Sequence, residues 1–523
     1  MKQLWNNLVK QGNQPTITNE ANKTAESIQV EKELDVNLEE IKKAFSYPKN
    51  SDLVIRNIFI KSLKLKAIII FLDHTTNTKI IEEKVMIPLL EGSLNEYELA
   101  KDTSTVIMND LISAKEATKL TDINQVINEL LIGNTMLLLD NQAYVISIQT
   151  TEFEARKVEK PNDENILKGP KEAFVESVST NISLIRKALK SQDLVSEKVT
   201  LGARGISTVT MLYMSEIAND QLIEKVRKRI EDITAEDIQT LGILEQHIED
   251  RPYSIVPTVL YTERPDRAVA FLKEGHIVLL MDTSPSALVV PVTFWAFFHT
   301  SEDTYARWLY GNFSRIIRLL AMFVTLFVPC AYIAITNYHV EMLPTDLVLA
   351  ISASRERVPF PAIFEVILLL IAFELIREGG VRVPTPIGPT IGIVGALILG
   401  QAAVEANIIS PILVIVVAVT GLASFAVPNL SLNYFVRLST YIFLLFGALW
   451  GFLGIAVCLT IGIAYLTSIK SFDVPILSPL APHYPSSKDL VVRPPVWKQW
   501  LRPFHVHPKD PVRAEKPGKD ESE

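Results

Sequence analysis

The sequence predicts an α/β cytosolic N-terminal domain in two subdomains, followed by an all-α polytopic membrane domain of four to six membrane segments. Two observations carry this. The 523-residue chain has 51 Lys+Arg and 59 Asp+Glu, yet residues 316–469 hold only 13 of these charges. That stretch is made of apolar runs close to the roughly 20 residues a helix needs to cross a bilayer. Ahead of it, short β-branched runs alternate with stretches of helical periodicity, the pattern of a layered α/β domain. The length allows about two to four domains.

Residues 1–50 are polar, with an Asn/Gln/Thr/Glu-rich section too poor in apolar side chains to offset the entropy of ordering, and read as a flexible arm. Subdomain 1 is expected over 51–158. Its apolar run 67–72 reads as a buried strand, and 135–139 with 143–148 reads as a hairpin across Asp140, Asn141 and Gln142. Residues 159–170, charged and bearing Pro161 and Pro170, read as a linker. Subdomain 2 follows over 171–285, with strands at 206–214 and 277–281 and helices over 219–233 and 235–248. Thr262 to Arg267 reads as a helix start, with Pro265 in the first turn.

The run 287–298 is short and holds Pro291, so 286–315 is expected to be interfacial or re-entrant, docking the soluble part on the bilayer. Within a membrane domain over 316–470, the candidate spans are 316–335, 358–376, 387–404, 408–427 and 441–469, the last long enough to tilt. Arg307, Arg315 and Arg318 before the first span, and Lys470, Lys488, Arg493, Lys498 and Arg502 after the last, place both ends inside. Two inside ends need an even number of crossings. Five candidates are odd, so one is re-entrant or a weaker segment at 345–351 contributes. Residues 471–523, with ten prolines between Pro475 and Pro517, read as a flexible charged tail. The N-terminus lacks the apolar stretch of a secretory signal, so none is expected to be removed.

Ionisable groups inside a bilayer cost about 2.5 to 3.5 kcal/mol each at a helix centre on insertion scales. Glu365 is the clearest case, either functional or part of a buried pair; Glu374 lies close to Arg377 and Glu378 and reads as interfacial. On a helical wheel, Gly388, Gly392, Ala396 and Gly400 form a ridge of small residues spaced by four, suited to close helix approach. The opposite face carries Ile391, Val394, Ile398, Gln401 and Glu405. Repeated around a symmetric oligomer, this face would supply a carboxylate ring below an apolar gate, the elements of a cation pore. Glu405 equally fits an exposed turn between spans. Pro384, Pro386 and Pro389 prevent a regular helix ahead of this face.

Cys330 and Cys458 lie in apolar runs, and no CxxC or HExxH spacing occurs, so no metal or cofactor is expected. Gly202-Ala-Arg-Gly205 lacks the Lys-Ser/Thr of a phosphate loop. The net charge of −8 and the lack of a basic, aromatic-interleaved patch argue against nucleic acid. No nucleophile and base can be paired, so the chain is not expected to be an enzyme.

Several ordered motifs resemble the A subunits of the nutrient germination receptors of bacterial endospores. They are Gly169-Pro-Lys-Glu-Ala-Phe-Val-Glu-Ser, Thr180-Asn-Ile-Ser-Leu-Ile-Arg186, Leu244-Glu-Gln-His-Ile-Glu-Asp, Thr262-Glu-Arg-Pro-Asp266, Ser354-Arg-Glu-Arg-Val-Pro-Phe-Pro361, Phe364-Glu365 and Gly400-Gln-Ala-Ala-Val-Glu-Ala406. The resemblance implies a location in the spore inner membrane and contact with its lipid. It also implies a transporter-like B subunit and a lipoprotein C subunit as partners, with a homo-oligomer, a pentamer, forming a gated cation channel. A sporulation-stage V relative of the family lacks a cognate nutrient; the polar arm and long tail here are more similar to a receptor subunit. Rival readings are a non-conducting scaffold and a proton-coupled carrier using Glu365.

Overall fold

The computed structural model describes residues 28–92, 103–114, 116–152, 161, 164, 166, 168–202, 205, 207–382, 400–484 and 489–514. Its N-terminal part holds two five-stranded sheets, and every strand pair in both is antiparallel. The first contains β1 (Leu53–Ile60), β2 (Leu65–Leu72), β3 (Ala117–Leu120), β4 (Thr135–Leu139) and β5 (Val145–Ile148), in the order β1-β2-β4-β5-β3. The second contains β6 (Leu194–Leu201), β7 (Ser207–Met214), β8 (Leu260–Thr262), β9 (Ile277–Met281) and β10 (Ala287–Val290), ordered β6-β7-β9-β10-β8. The two orders are the same when each sheet is numbered from its own first strand. The N-terminal part is therefore one topology used twice.

The inner strands β4, β5, β9 and β10 are buried at every position because both faces of each sheet are covered. Ile69, Phe71, Leu137 and Ile146 face one core of the first sheet, while Ile70, Leu72, Met136 and Val145 face the other. The second core is closed by helices α1 (Leu34–Ala44) and α2 (Ile123–Ile132). Helix α1 corrects the expectation of a flexible arm up to residue 50. Leu34, Leu38, Ile41 and Phe45 recur at spacings of four, three and four, which aligns them on one helical face against the sheet.

The second sheet is preceded by α3 (Val178–Ala188) and carries α4 (Asp220–Glu231), α5 (Leu241–Ile248) and α6 (Pro265–Leu272). Helix α6 starts where Pro265 stands at its N-terminus, as expected, and the Thr262 hydroxyl accepts from the Arg264 amide at 3.2 Å. The helix expected over 235–248 forms only from Leu241. The run 287–298 is not re-entrant. Its first four residues are β10, fully buried between β9 and β8, and Phe294–Phe298 is a short helix, α7, with Phe297 and Phe298 buried. A four-residue apolar run looks the same in sequence whether it enters lipid or the centre of a sheet.

The two sheet units meet through Asn50, Ser51 and Asp52. The Ser51 amide and hydroxyl both donate to Ser196 O at 2.8 Å. Arg186 donates from Nε to Asp52 Oδ2 at 2.7 Å, and its Nη2 lies 2.6 Å from the same oxygen, with both side chains buried.

The helical part begins with α8 (Ser301–Tyr305) and α9 (Trp308–Tyr338), followed by α10 (Thr345–Arg355), α11 (Ala362–Arg382), α12 (Pro411–Phe425) and α13 (Leu430–Ser468). Helices α9 and α13 are long and apolar enough to cross a membrane. Helix α13 is not one rod. Trp450 (φ −135°, ψ 15°) and Gly451 (φ 60°, ψ −140°) are non-helical, and a Cβ on Gly454 would overlap the Phe446 carbonyl oxygen. Residues eight apart in a continuous helix are separated by about 12 Å along its axis. The chain therefore folds back at 450–451 into an antiparallel hairpin. The run 441–469, expected as one tilted span, is divided by this reversal. Tyr338 at the end of α9 caps the break, its hydroxyl donating to Ala448 O at 2.7 Å and Leu449 O at 3.0 Å.

Both feet of the α13 hairpin rest on the second sheet unit. Leu432 and Val436 from its start, with Ile469 and Ile476 beyond its end, share one core with Leu212, Leu280 and Val289. Residues 471–484 and 489–514, within the stretch read as a flexible tail, instead form an ordered strap. Ser471 Oγ donates to Thr258 O at 2.6 Å, the Phe294 amide to Ile476 O at 2.7 Å, and the Lys509 amide to Ile217 O at 2.9 Å. Proline-rich chain whose own structure is a two-residue strand pair and two short 3-10 turns is ordered here by bonds to the domain beneath it.

Two outcomes are expected. Asp52→Ala, which strands a buried guanidinium, should destabilise the contact between sheet units by about 3 to 5 kcal/mol, seen as faster proteolysis between them. Gly454→Val should abolish the hairpin, so that the variant fails to accumulate as folded protein in membranes, whereas Gly462→Ala, in open space, should accumulate normally.

Candidate functional site

Polar groups within the apolar helices gather at two levels. At the end far from the sheets, Glu365 lies in the first turn of α11, not in the middle of a span, because Pro359 and Pro361 delay the helix start to Ala362. Its buried carboxylate accepts the Ser410 amide at 2.9 Å, at the N-terminus of α12, where the helix dipole favours negative charge. Arg355 Nε, at the end of α10, lies 3.6 Å from its other oxygen. Glu365 thus joins three segments of chain.

At the end near the sheets, Glu374 of α11 accepts from Arg437 Nε of α13 at 2.8 Å. Arg377, one turn on, donates from Nη2 to Ser424 Oγ of α12 at 2.7 Å, and its guanidinium stacks 4.6 Å from the Phe425 ring centroid. Glu374 is therefore a contact between helices and not a solvated interfacial side chain. Arg355 and Arg437 have no assigned role in the sequence reading, although Arg437 is the one charge within 430–468.

Ile391, Val394 and Ile398, with Gly388, Gly392 and Ala396 of the small-residue ridge, lie outside the described residues. Residues 400–405 are helical and include Gly400, where an added Cβ would meet open space. Gln401 Nε2 donates to Glu405 Oε1 at 3.0 Å, one helical turn away on the exposed face. The turn after them places Asn407 at φ 53° and leads directly to Ser410 and the Glu365 carboxylate.

A third site joins the soluble and helical parts. Asp303 of α8 is buried and accepts from Arg315 Nε at 3.0 Å and from Arg318 Nη1 and Nη2 at 2.8 and 2.7 Å. Burial raises its pKa, but the two guanidinium groups more than offset this and hold it below the ordinary carboxylate range. Arg315 also pairs with Asp489 of the strap, and Asn312 exchanges hydrogen bonds with the Arg493 backbone at 2.7 and 3.2 Å. Arginines that read as inside markers beside a span are here built into the joint between α9 and the soluble part.

A cleft of about 250 Å³ lies at this joint, lined by α6, α7, α8 and the strap. His276, His299 and His505 border it. Burial pushes the first two down to about 4 and the third to about 3. His276 Nδ1 lies 2.6 Å from Pro291 O, and His299 Nε2 lies 2.5 Å from Leu490 O. Among the described residues no group of three or more His, Cys, Asp or Glu side chains could hold a metal ion.

Comparison with known proteins gives this architecture its family. The profile described as Bacillus/Clostridium GerA spore germination protein matches residues 39–505. The chain belongs to the GerA spore germination family, as an A-subunit-type member. Spore germination protein KA of Bacillus subtilis is 35% identical, over 90% of this chain and 86% of that protein. Spore germination protein A1 of the same organism is 37% identical, over 73% and 80% respectively, and GerLA of Bacillus cereus is 33% identical over 91% and 97%. The crystal structure of the N-terminal domain of the A subunit of the Bacillus megaterium spore germinant receptor GerK3 is similar at 27% identity and a TM-score of 0.37, covering 51% of this chain and 98% of that one.

In this GerA-family chain the strap should respond to pH. The folded pKa values of the three imidazoles lie below the ordinary 6.5, so the unfolded chain binds more protons between about 4 and 6.5. Their stabilising contribution is complete above 6.5 and is lost as pH falls through that window. Protection factors over 489–514, referenced to the intrinsic exchange rate at each pH, should fall from pH 7 to pH 5, and by less in His505→Leu. Glu374→Gln, which leaves Arg437 without its carboxylate, should lower the thermal midpoint; Glu405→Gln, which alters one exposed contact worth about 0.5 kcal/mol or less, should leave it unchanged.

Proposed function

We propose that this chain is the A subunit of a nutrient-responsive germination receptor of the spore inner membrane, and that it forms the gated cation path. The family match over residues 39–505 carries this reading. In it, a transporter-like B subunit and a lipoprotein C subunit assemble with the chain, and copies of the chain form a ring, taken as a pentamer. Nutrient bound on a partner shifts a closed-to-open equilibrium by its differential affinity for the two states.

The helix directions support six crossings with both ends on the soluble-domain side. Helix α9 leaves the joint, α11 returns from Glu365 to Glu374, and α12 returns from Ser410 to Phe425. The two halves of α13 go out and back. In this reading the candidate span at 387–404 is the outward crossing between α11 and α12. That crossing bears Ile391, Val394 and Ile398 as the gate, with Gln401 and Glu405 as polar lining at its far end. Glu365 and Glu374 hold the neighbouring helices in place.

The alternative is a scaffold that transmits the signal to a different conducting protein, for which the coupled strap and soluble domain would suffice. Ion flux in liposomes, with and without the B and C partners, separates the two. For a path through this chain, Glu405→Gln changes cation selectivity and Ile398→Ala gives flux without nutrient. A correctly assembled receptor that shows no flux under any nutrient establishes the scaffold.

A further inference from the structure

We propose that the loop between α5 and β8 is a lipid-contact site, with the Tyr253 ring seated at the headgroup level of the bilayer. Tyr253 is fully exposed, and Ile255 two residues on is also exposed. The loop that presents them is firmly held. Ser254 N donates to Arg251 O at 2.9 Å, Ser254 Oγ donates to Val256 O at 3.0 Å, and Val256 is buried in the core shared with the helical foot. The exposed aromatic is therefore displayed on a fixed turn.

Its position selects the partner. Ser254 Oγ accepts from Tyr465 Oη at 3.1 Å, and Arg251 Nη1 donates to Ser468 Oγ at 3.1 Å, so the loop abuts the last turn of α13. That turn is where the apolar helix ends and Lys470 begins the strap. Other exposed aromatics stand at the same ends of the helices: Tyr310 and Phe313 near the start of α9, Phe425 at the end of α12 and Tyr434 near the start of α13. Rings with an apolar body and, in tyrosine, a polar tip collect at the boundary of acyl chains and headgroups. Tyr253 extends this belt outward onto the soluble domain, with the Arg251 cation beside it for headgroup phosphate. The contact would restrain the soluble domain against tilting on the bilayer.

The inference rests on the membrane reading above, and the test separates the two. The full chain is placed in vesicles of phosphatidylglycerol and phosphatidylethanolamine with an environment-sensitive fluorophore on Tyr253→Cys or, as control, on Phe323→Cys midway along α9; native Cys330 and Cys458 are buried. The Tyr253 probe is expected to lose fluorescence to lipids spin-labelled near the headgroup, and the Phe323 probe to lipids labelled deep in the acyl chain. Tyr253→Trp, which keeps an aromatic ring, is expected to gain a component quenched by shallow-brominated lipid. A Tyr253 probe quenched only by aqueous iodide, while the Phe323 probe responds to lipid, overturns the proposal. Shielding from both iodide and lipid overturns it in favour of a protein partner, and a Phe323 probe that no lipid quenches removes the membrane reading itself.

Discussion

One apolar core spans the boundary between the soluble and helical parts, and the rest of the architecture depends on it. Leu212, Leu280 and Val289 from one face of the second sheet share it with Val427, Leu432, Val436, Ile469 and Ile476 from the foot of the helices. Burial contributes roughly 25 cal/mol for each Å² of apolar surface removed from water, so the sheet and the helix foot are held as one packed body. The hairpin of α13 follows from this constraint. Both of its ends must return to the same sheet, and the reversal at Trp450 and Gly451 lets them do so.

Charge is used sparingly but consistently around that core. Asp303 and two arginines lock the start of α9 to α8, and Asp52 with Arg186 locks the first sheet unit to the second. Among the helices, Glu365 ties α11 to the start of α12, and Glu374 ties it to α13. Each carboxylate is matched by an arginine or a helix N-terminus, as burial requires. Changes at the soluble domain can reach α9 through such pairs, because α8, the strap and α9 share Asp303 and Arg315.

Much of this was legible in the chain. The strands at 67–72, 135–139 and 277–281 and the start of α6 follow from β-branched runs and proline placement, which are local signals. Helix α1 was legible too, since Leu34, Leu38, Ile41 and Phe45 keep helical spacing, but polar neighbours obscured it. Fates that depend on distant partners were not. The apolar run at β10 reads equally as an interfacial segment, and the prolines of the strap read as disorder until the surface that binds them is known.

The sequence by itself determined the division into a charged α/β part and an apolar helical part, because composition and periodicity are carried by each segment alone. It also carried the motifs that mark the family. The repeated strand order, the fold-back of α13, the docking of the strap and the partners of Glu365 and Glu374 were decided only by tertiary structure. Apart from the turn of α13, whose closest contact joins residues eight apart, these features join residues tens to hundreds of positions apart, and a buried charge or a glycine turn reveals its purpose only when the group opposite is in place.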